Sequence, residues 1–436
     1  MTAIEKEPAG SAETEQPDAR QQASQDTFPP LRRNRDFILL WTGAGVSILG
    51  SRISAIAYSL VVLWSTNSPT LTSYVAFAAL LPYLVTQLPA GVLVDRWDRR
   101  RVMIGCDLAR VLLIAVATVT VAMGHVWVPV LMVIAFLEGS LTEMYVIAER
   151  ASVFTVVSEE QLGTAIGANE ARGEAAGLIG QPIGTFLFSA VRWLPFAATA
   201  VAHLISLTTL LFIKRDLQGD RTNENTPRIM EGLKEGFGFV RSQKYLSRAL
   251  GLIAISNLLF QVLALGLLVI VLDDGGSPST VGYILAASGV GGMLGALTSN
   301  LYMRWIGIRR IFMGVNVIWT VLMTSIAFTQ NTFALAAIFC LIMYGAGVAN
   351  VAGIVYTMKI TPEHLQGRVG SIATLLASGA NAIGALAAGM ILQALGVHST
   401  MLWVGGAMFV TAVLAILAFG GRQAAADERA AGLTDD

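Results

Sequence analysis

The chain has 436 residues, of which 54% are hydrophobic and only 13% are charged, and its formal net charge at pH 7 is zero. Soluble domains carry about 25% charged residues, so this composition excludes an ordinary soluble domain. The zero net charge gives no electrostatic reason to expect a nucleic-acid partner. The two cysteines, Cys106 and Cys340, lie inside apolar stretches, where they indicate packing rather than a disulfide framework.

The chain begins with a polar segment. Residues 1–31 are rich in Glu, Gln, Ser and Ala and contain no apolar core of the kind that a signal peptide needs. Such a composition buries too little apolar surface to fold, so we predict a disordered cytoplasmic tail. Residues 421–436 fit the same description, and we predict a second cytoplasmic tail there.

Twelve apolar stretches lie between the two tails. About 20 apolar residues in a helix cross the roughly 30 Å hydrocarbon core of a bilayer. We therefore predict an all-α membrane protein with twelve transmembrane helices, at 37–63, 72–94, 102–123, 127–149, 162–190, 193–213, 248–272, 280–303, 310–329, 332–357, 366–395 and 399–420.

The basic residues of the loops predict the orientation in the membrane. Loops that follow even-numbered spans are rich in Lys and Arg, whereas the alternate loops hold almost none, with Arg192 as the exception. Because Lys and Arg concentrate on the cytoplasmic side, both termini are expected to be cytoplasmic. The same pattern requires an even number of spans.

The sequence also divides into two similar halves. Val153–Thr155 and Val355–Thr357 match at an offset of about 203 residues, and similar matches occur elsewhere. We predict six-helix bundles at 32–214 and 248–420, joined by a cytoplasmic linker at 215–247. That linker contains an amphipathic helix, because Ile229, Leu233, Phe237 and Val240 recur at helical spacing. Duplicated bundles usually place their binding site between the two halves.

A charged turn joins the second and third spans and carries a recognisable motif. It reads Gly91-x-Leu93-x-Asp95-Arg96-x-x-Arg99-Arg100 and resembles the signature of the major facilitator superfamily, with Asp98 where a second glycine is usual. The Asp-Arg-x-Asp-Arg-Arg form resembles the branch of drug:proton antiporters that includes macrolide and enterobactin exporters. The resemblance covers residues 32–420 and implies a major facilitator fold.

The same residues predict a gate at the cytoplasmic face. Asp95 ends a helix and is expected to accept hydrogen bonds from a helix N-terminus of the other half, near Gly367, or to pair with a nearby arginine. The alternative is a solvated charge at a helix end. Asp107 and Arg110 share a face of the third span and are expected to form an ion pair that supports the gate. The full predicted gating set is Gly91, Leu93, Asp95, Arg96, Arg99, Arg100, Asp107, Arg110 and Arg150.

Charged residues inside the spans are concentrated in the first half. A charge at a helix centre costs about 2.5–3.5 kcal/mol, so it persists where it faces a cavity or a partner. We predict that Glu138 carries the transported proton, with Glu143 or Glu174 as alternates, and that Arg52 or Arg172 balances it; simple Glu–Arg ion pairs are the competing interpretation. The proton-coupling candidates are Glu138, Glu143, Glu170, Glu174, Arg52 and Arg172.

The second half offers aromatic and amide side chains instead. A charged half that faces an apolar, amide-bearing half suits a bulky amphipathic substrate. The predicted cavity residues are Asn257, Gln261, Tyr283, Asn316, Tyr344, Asn350 and Asn381.

The combined prediction is a proton-driven exporter of a small amphipathic or hydrophobic molecule, such as an antibiotic, drug or siderophore, in the inner or plasma membrane. Its expected partners are the substrate, protons and the lipid bilayer; we expect a monomer without cofactor or metal. An enzyme is not expected, because the four histidines (His125, His203, His364 and His398) are scattered and no nucleotide-binding loop is present. A proton-coupled nutrient importer and a non-transporting membrane scaffold or sensor remain the alternatives.

Overall fold

The computed structural model of the protein describes residues 29–218 and 229–420, and nearly all of them are helical. The predicted tails fall on 1–28 and 421–436, and part of the predicted linker falls on 219–228; these lie outside the described residues. After a short 3-10 turn at Leu31–Arg33, the first half contains α1 Arg35–Thr66, α2 Pro69–Leu80, α3 Pro82–Val85, α4 Gln87–Arg96, α5 Arg99–Ala122, α6 Val128–Val156, α7 Glu159–Ala190 and α8 Leu194–Phe212. The second half contains α9 Ile229–Ser242, α10 Lys244–Asp273, α11 Pro278–Ile306, α12 Ile308–Ile326, α13 Thr332–Ile360 and α14 Glu363–Phe419.

These helices supply the twelve expected spans. Eight are long and apolar enough to cross a membrane, and the bent series α2 to α4 makes a ninth. The 57-residue α14 contains two spans, because Gly396 adopts a φ of 71° and turns the chain back. The remaining spans are α7 and α12, whose charged side chains lower their hydropathy. The prediction of twelve transmembrane helices in two six-helix bundles is confirmed.

The second span differs from its prediction as one continuous helix. It is broken into α2, α3 and α4, and the axis bends by 58° between Pro69–Val85 and Pro89–Arg96. Proline removes a backbone donor and clashes with the preceding turn, so Pro82 and Pro89 account for the break.

Polar caps and one glycine fix where other helices begin. The Asn34 side chain accepts a hydrogen bond from the backbone N–H of Phe37 at 3.1 Å and so caps α1. Its amide also donates to the Val156 carbonyl at 2.6 Å, which ties the start of α1 to the end of α6. Gly307, with a φ of 76°, makes the tight turn between α11 and α12.

The two halves pack through equivalent helices. In the first half α1 packs against α7 and α8, and α5 packs against α6 and α8; in the second, α10 packs against α14 and α11 against α13. Across the halves, α2 meets α14 and α7 meets α11. An offset of 203 residues takes α2 onto α11 and α7 onto the first part of α14. These two pairs, which are the largest contacts between the halves among the described residues, are therefore copies of one another, as a duplicated bundle predicts.

The helix expected in the central segment is α9. Val240 on this helix is buried in a small core with Leu246, Leu250, Leu365 and Val369. Glu235 of α9 forms an ion pair with Arg368 at the start of α14. The segment between the halves is thus attached to the second half.

Candidate functional site

The basic turn between α4 and α5 is held by helix ends. Asp98 caps α5, because its Oδ1 accepts a hydrogen bond from the Arg101 backbone N–H at 2.8 Å. Arg99 donates to the Ala151 carbonyl at 3.0 Å, and Arg100 donates to the Leu211 carbonyl at 3.1 Å. Both carbonyls lie near helix C-termini, where a cation is favoured. The arginines of the motif therefore anchor α5 to α6 and α8.

Asp95, the acid of the motif, is not latched in this structure. Its side chain is exposed, and no hydrogen bond or ion pair joins it to any residue that the structure describes. Gly367 is exposed as well, and open space lies where its side chain would be. The neighbouring Arg368 is paired with Glu235 instead. The molecule is therefore open at the end that carries Asp95, which we call the Asp95 end.

The two halves meet at the opposite end. Thr70 of α2 donates to the Gly389 carbonyl of α14 at 3.3 Å. The equivalent contact joins α7 to α11, where the rings of Phe186 and Tyr283 pack edge-to-face with centroids 5.1 Å apart. Phe186 and Gly389 occupy equivalent positions of the two halves. A twofold pair of contacts thus closes the side away from Asp95.

A small cavity of about 390 Å³ remains at that closed end, and its lining includes Asn67, Asp273 and Gln393. Asp273 is the last residue of α10. Asp274 follows it directly, so two acidic residues lie next to each other at this end.

Four charged or ionisable side chains form a buried network inside the first half. Arg110 of α5 donates to Asp107 Oδ1 at 2.5 Å, which confirms the expected i, i+3 ion pair. His203 of α8 lies between two carboxylates: its Nδ1 is 3.8 Å from Asp107 Oδ1, and its Nε2 is 3.8 Å from Glu138 Oε1. Asp107 and His203 are 0% exposed, Arg110 is 1% exposed and Glu138 is 4% exposed. Three helices thus bring together groups that are far apart in sequence.

Hydroxyl groups surround this network. Ser54 and Tyr58 of α1 donate to the two oxygens of Glu138 at 2.7 and 2.6 Å. Ser47 Oγ lies 3.2 Å from His203 Nδ1, and Thr142 accepts from Arg110 at 3.3 Å. Glu138 differs from the other buried acids because no arginine or lysine lies within ion-pair distance of it among the described residues.

A second buried ion pair lies between α6 and α7. Arg172 places both of its terminal nitrogens 3.3 Å from Glu149 Oε1, and it also donates to the Trp41 carbonyl at 3.0 Å. Asn169 donates to the same oxygen of Glu149 at 3.1 Å. Arg172 is therefore a partner of Glu149, a residue that the sequence prediction did not include, and it does not contact Glu138.

The other predicted acids lie nearer to the surface. Glu170 is paired with Arg150 at 3.3 Å, and both side chains are more than 60% exposed. Glu143 is half-buried and interacts electrostatically with Arg150 and Arg52. Glu174 and Arg52 are exposed. Of the predicted proton-coupling residues, Glu138 alone belongs to the buried network.

The predicted cavity residues of the second half are only partly brought together. Gln261 donates to Asn381 at 3.2 Å, which joins α10 to α14. The Tyr344 hydroxyl lies 2.9 Å from Thr298 Oγ1 and donates to the Tyr302 hydroxyl at 3.0 Å.

The remaining members of that set are dispersed. Asn316 is buried and donates to the Phe312 carbonyl of its own helix at 2.7 Å. Asn257 is half-buried, and Asn350 and Tyr283 are exposed. The Gln261–Asn381 pair and the Tyr344 cluster are the two polar groups that this set assembles.

Sequence comparison decides the family. The family model described as "Transmembrane secretion effector" matches residues 25–431 of the chain. The chain belongs to this family of the major facilitator superfamily. The predicted superfamily and drug-exporter branch are confirmed, and the family's members are membrane transporters rather than enzymes. The chain is thus a multi-pass membrane transporter of the cell membrane with a small-molecule substrate.

Named relatives of this family member cover nearly its whole length. Macrolide efflux protein A of Streptococcus pyogenes is 27% identical over 391 residues, which are 87% of this chain and 94% of the relative. Multidrug efflux pump Tap of Mycolicibacterium fortuitum is 29% identical over 392 residues, which are 87% of this chain and 93% of the relative.

Solved structures show the same fold. The nucleoside transporter NupG matches 89% of this chain and 100% of its own with a TM-score of 0.69 and 13% identity. A bacterial homolog of the human lysosomal transporter Spinster, solved in an inward-facing and unoccupied conformation, matches 89% of this chain and 97% of its own with a TM-score of 0.68 and 12% identity.

Proposed function

We propose that this transporter exports a small amphipathic or hydrophobic molecule, such as an antibiotic, another drug or a siderophore, in exchange for protons that move inward. Transport proceeds by alternating access: the two halves rock about the central cavity, which opens to one side of the membrane at a time. Two relatives that are named for macrolide and multidrug efflux support the export direction.

The orientation follows from charge. The Asp95 end carries the Arg-rich turn Arg99–Arg101 and the basic residues Arg304 and Arg368, and Lys and Arg are concentrated on the cytoplasmic side of membrane proteins. We assign the Asp95 end and both termini to the cytoplasm. The structure then represents the inward-open state, in which substrate enters from the cytoplasm.

The motif between α4 and α5 would act in the outward-open state. When the halves close at the Asp95 end, the Asp95 carboxylate approaches the start of α14, where the backbone N–H groups near Gly367 favour an anion. That contact is a latch for the outward-open state, and it breaks in the state described by the structure.

The surroundings of Glu138 support proton exchange most directly. Glu138 is a buried acid whose hydrogen-bond partners among the described residues are two hydroxyl groups, those of Ser54 and Tyr58. Protonation of Asp107 or Glu149 leaves a buried arginine without its partner, which is strongly unfavourable. Protonation of Glu138 separates no such pair, so this acid can alternate between its two charge states while the bundle stays intact.

The second half would supply the substrate contacts. The Gln261–Asn381 pair and the Tyr344 cluster offer amide and hydroxyl groups on an otherwise apolar surface. Sites for bulky molecules are mostly apolar with a few polar groups that fix the orientation, and this composition suits an amphipathic substrate.

The test is transport in inverted membrane vesicles from cells that lack their own drug pumps, with ethidium and erythromycin as probes. The wild-type protein is expected to accumulate a probe when the vesicle interior is acidic. Glu138→Gln is expected to reduce this uptake to the level seen with a protonophore, while probe exchange without a pH gradient continues. Glu174→Gln is the matched control, because Glu174 is exposed. Loss of coupling in Glu174→Gln with normal coupling in Glu138→Gln would assign the proton to Glu174 instead.

A further inference from the structure

The geometry points to His203 as a proton relay between Glu138 and Asp107, so that the proton crosses the interior of the first bundle and not the cavity between the halves. This inference rests on the proposed proton antiport and names the route that the proton takes. It assigns a transport role to a histidine that lies in the middle of α8.

His203 lies between the two carboxylates. The imidazole presents one nitrogen to each carboxylate, at 3.8 Å from Asp107 and at 3.8 Å from Glu138. A shift of about 1 Å on each side brings these atoms to the normal hydrogen-bond distance. His203 Nε2 and Asp107 Oδ2 have no hydrogen-bond partner among the described residues. Buried polar atoms are nearly always paired, so these two mark a place where a proton or a water molecule passes.

The charges around His203 balance. The groups that face His203 are Asp107 and Arg110 from α5 and Glu138 from α6, and the neighbouring group from α1 is the hydroxyl of Ser47. Asp107 and Arg110 cancel one another. Glu138 and His203 together are neutral when they share one dissociable proton, whichever of the two holds it. A buried site disfavours net charge, so the network takes up one proton and no more.

The transfer can be written with all protons accounted for. Glu138, protonated, gives its proton to His203 Nε2, and the proton on His203 Nδ1 passes to Asp107 Oδ1. Glu138 becomes an anion, His203 remains neutral in its other tautomer, and Asp107 becomes neutral, so the net charge of the network stays at zero. Arg110 then stands beside a neutral acid, which favours release of the proton from Asp107 and restores the ion pair.

The direction of the route fits export. Arg110 donates to Thr142, which lies one helical turn closer to the Asp95 end than Glu138, so the Asp107–Arg110 pair is nearer to that end. A groove of about 600 Å³ between α4, α5 and α6 opens at the Asp95 end and reaches Cys106, the residue before Asp107. Tyr58 contacts Glu138 from the opposite direction. A proton that follows this route therefore moves toward the Asp95 end.

The first experiment compares two modes of transport in proteoliposomes that contain the full-length protein, with ethidium and erythromycin as probes. His203→Gln is expected to slow pH-driven transport on the order of 100-fold, which is the size of a typical proton-transfer contribution, and to leave gradient-free probe exchange intact. His398→Gln is the control, because His398 is exposed and lies outside the buried network, next to the Ala327 carbonyl and the Phe328 ring. It is expected to behave as wild type in both modes.

The outcomes separate the relay from the proposed function. Wild-type protein that carries neither probe in response to a pH gradient contradicts proton antiport itself. Normal wild-type coupling together with normal coupling in His203→Gln overturns the relay alone. Loss of both transport modes in His203→Gln indicates damage to the fold, and the decision then passes to a measurement that keeps His203.

That measurement uses the small number of histidines. The sequence has four, and replacing the exposed His125, His364 and His398 with Gln leaves His203 as the only imidazole. Nitrogen NMR of this ¹⁵N-labelled protein in lipid reports which ring nitrogen carries the proton. The relay requires the proton to move between Nδ1 and Nε2 as the pH changes through the range in which transport is driven. One fixed tautomer throughout that range overturns the relay.

Discussion

Two ion pairs between α6 and α7 allow a direct test of how burial controls the strength of a charge pair in this fold. In Glu149–Arg172 and Arg150–Glu170, the α6 residues are adjacent and the α7 residues are two positions apart, and each pair has a closest N···O distance of 3.3 Å. They differ in exposure: the side chains of Arg172 and Glu149 are 7% and 3% exposed, whereas those of Arg150 and Glu170 are 66% and 62% exposed. Arg172→Met and Arg150→Met therefore remove the same guanidinium from opposite environments.

The expected costs differ several-fold. Removing one partner of a buried pair leaves an uncompensated charge and costs about 3–5 kcal/mol. In Arg172→Met, the remaining polar contact of Glu149 in the described structure is Asn169. Removing one partner of an exposed pair costs about 0–1 kcal/mol, because water screens both charges. In a bundle of this size 1 kcal/mol corresponds to about 2–4 °C, so Arg172→Met is expected to lower the apparent Tm by roughly 6–20 °C. Arg150→Met is expected to lower it by no more than about 4 °C.

The assay is thermal unfolding of the purified variants in detergent, followed by loss of monodisperse protein. The double variant Glu149→Gln/Arg172→Met removes both buried charges and is expected to recover most of the lost stability. Equal Tm values for Arg172→Met and Arg150→Met, or a double variant that is no more stable than Arg172→Met, would refute the reasoning.

Three further predictions concern the gate and the cavity. Asp95→Asn is expected to leave the free energy of unfolding within about 0.5 kcal/mol of wild type, because Asp95 is exposed in this state. Export measured in vesicles is expected to fall. A large loss of stability with normal export would contradict the latch. Gly389→Val is expected to hold open the end away from Asp95, because a Cβ at this position would lie 2.3 Å from Ser73 Oγ. Labelling of a cysteine introduced by Asn67→Cys with a membrane-impermeant thiol reagent would then increase. Gln261→Leu is expected to change the ratio of ethidium to erythromycin export without changing proton coupling, and an unchanged ratio would remove Gln261 from the substrate site.

Much of the fold could be predicted from the sequence because a bilayer imposes simple rules. Apolar length predicted all twelve spans, and α7 was among them although its internal charges lower its hydropathy. The break in the second span was not predicted. Pro82 and Pro89 indicate a distortion, but two prolines within an apolar stretch do not determine how far a helix bends. The tight turn at Gly396 falls in the gap between the predicted spans 366–395 and 399–420.

The buried network was predicted only in part. Asp107 and Arg110 lie one helical turn apart, so local geometry revealed their pairing, and Glu138 was notable as an acid in the middle of an apolar stretch. His203 was missed because its contacts join α8 to α5 and α6, and no local rule gives such contacts. One signal was available: Thr199, His203 and Ser206 recur at spacings of four and three, which marks a polar stripe on an otherwise apolar helix. Glu149 was missed because it lies close to the predicted end of its span.

The most direct test of the account is simultaneous measurement of probe and proton movement by the wild-type transporter in proteoliposomes. An imposed pH gradient is expected to drive ethidium or erythromycin toward the acidic side against its own concentration gradient, while protons move the other way and a protonophore stops both. Probe movement that follows only its own concentration gradient, with the same rate in the presence of the protonophore, would contradict the account.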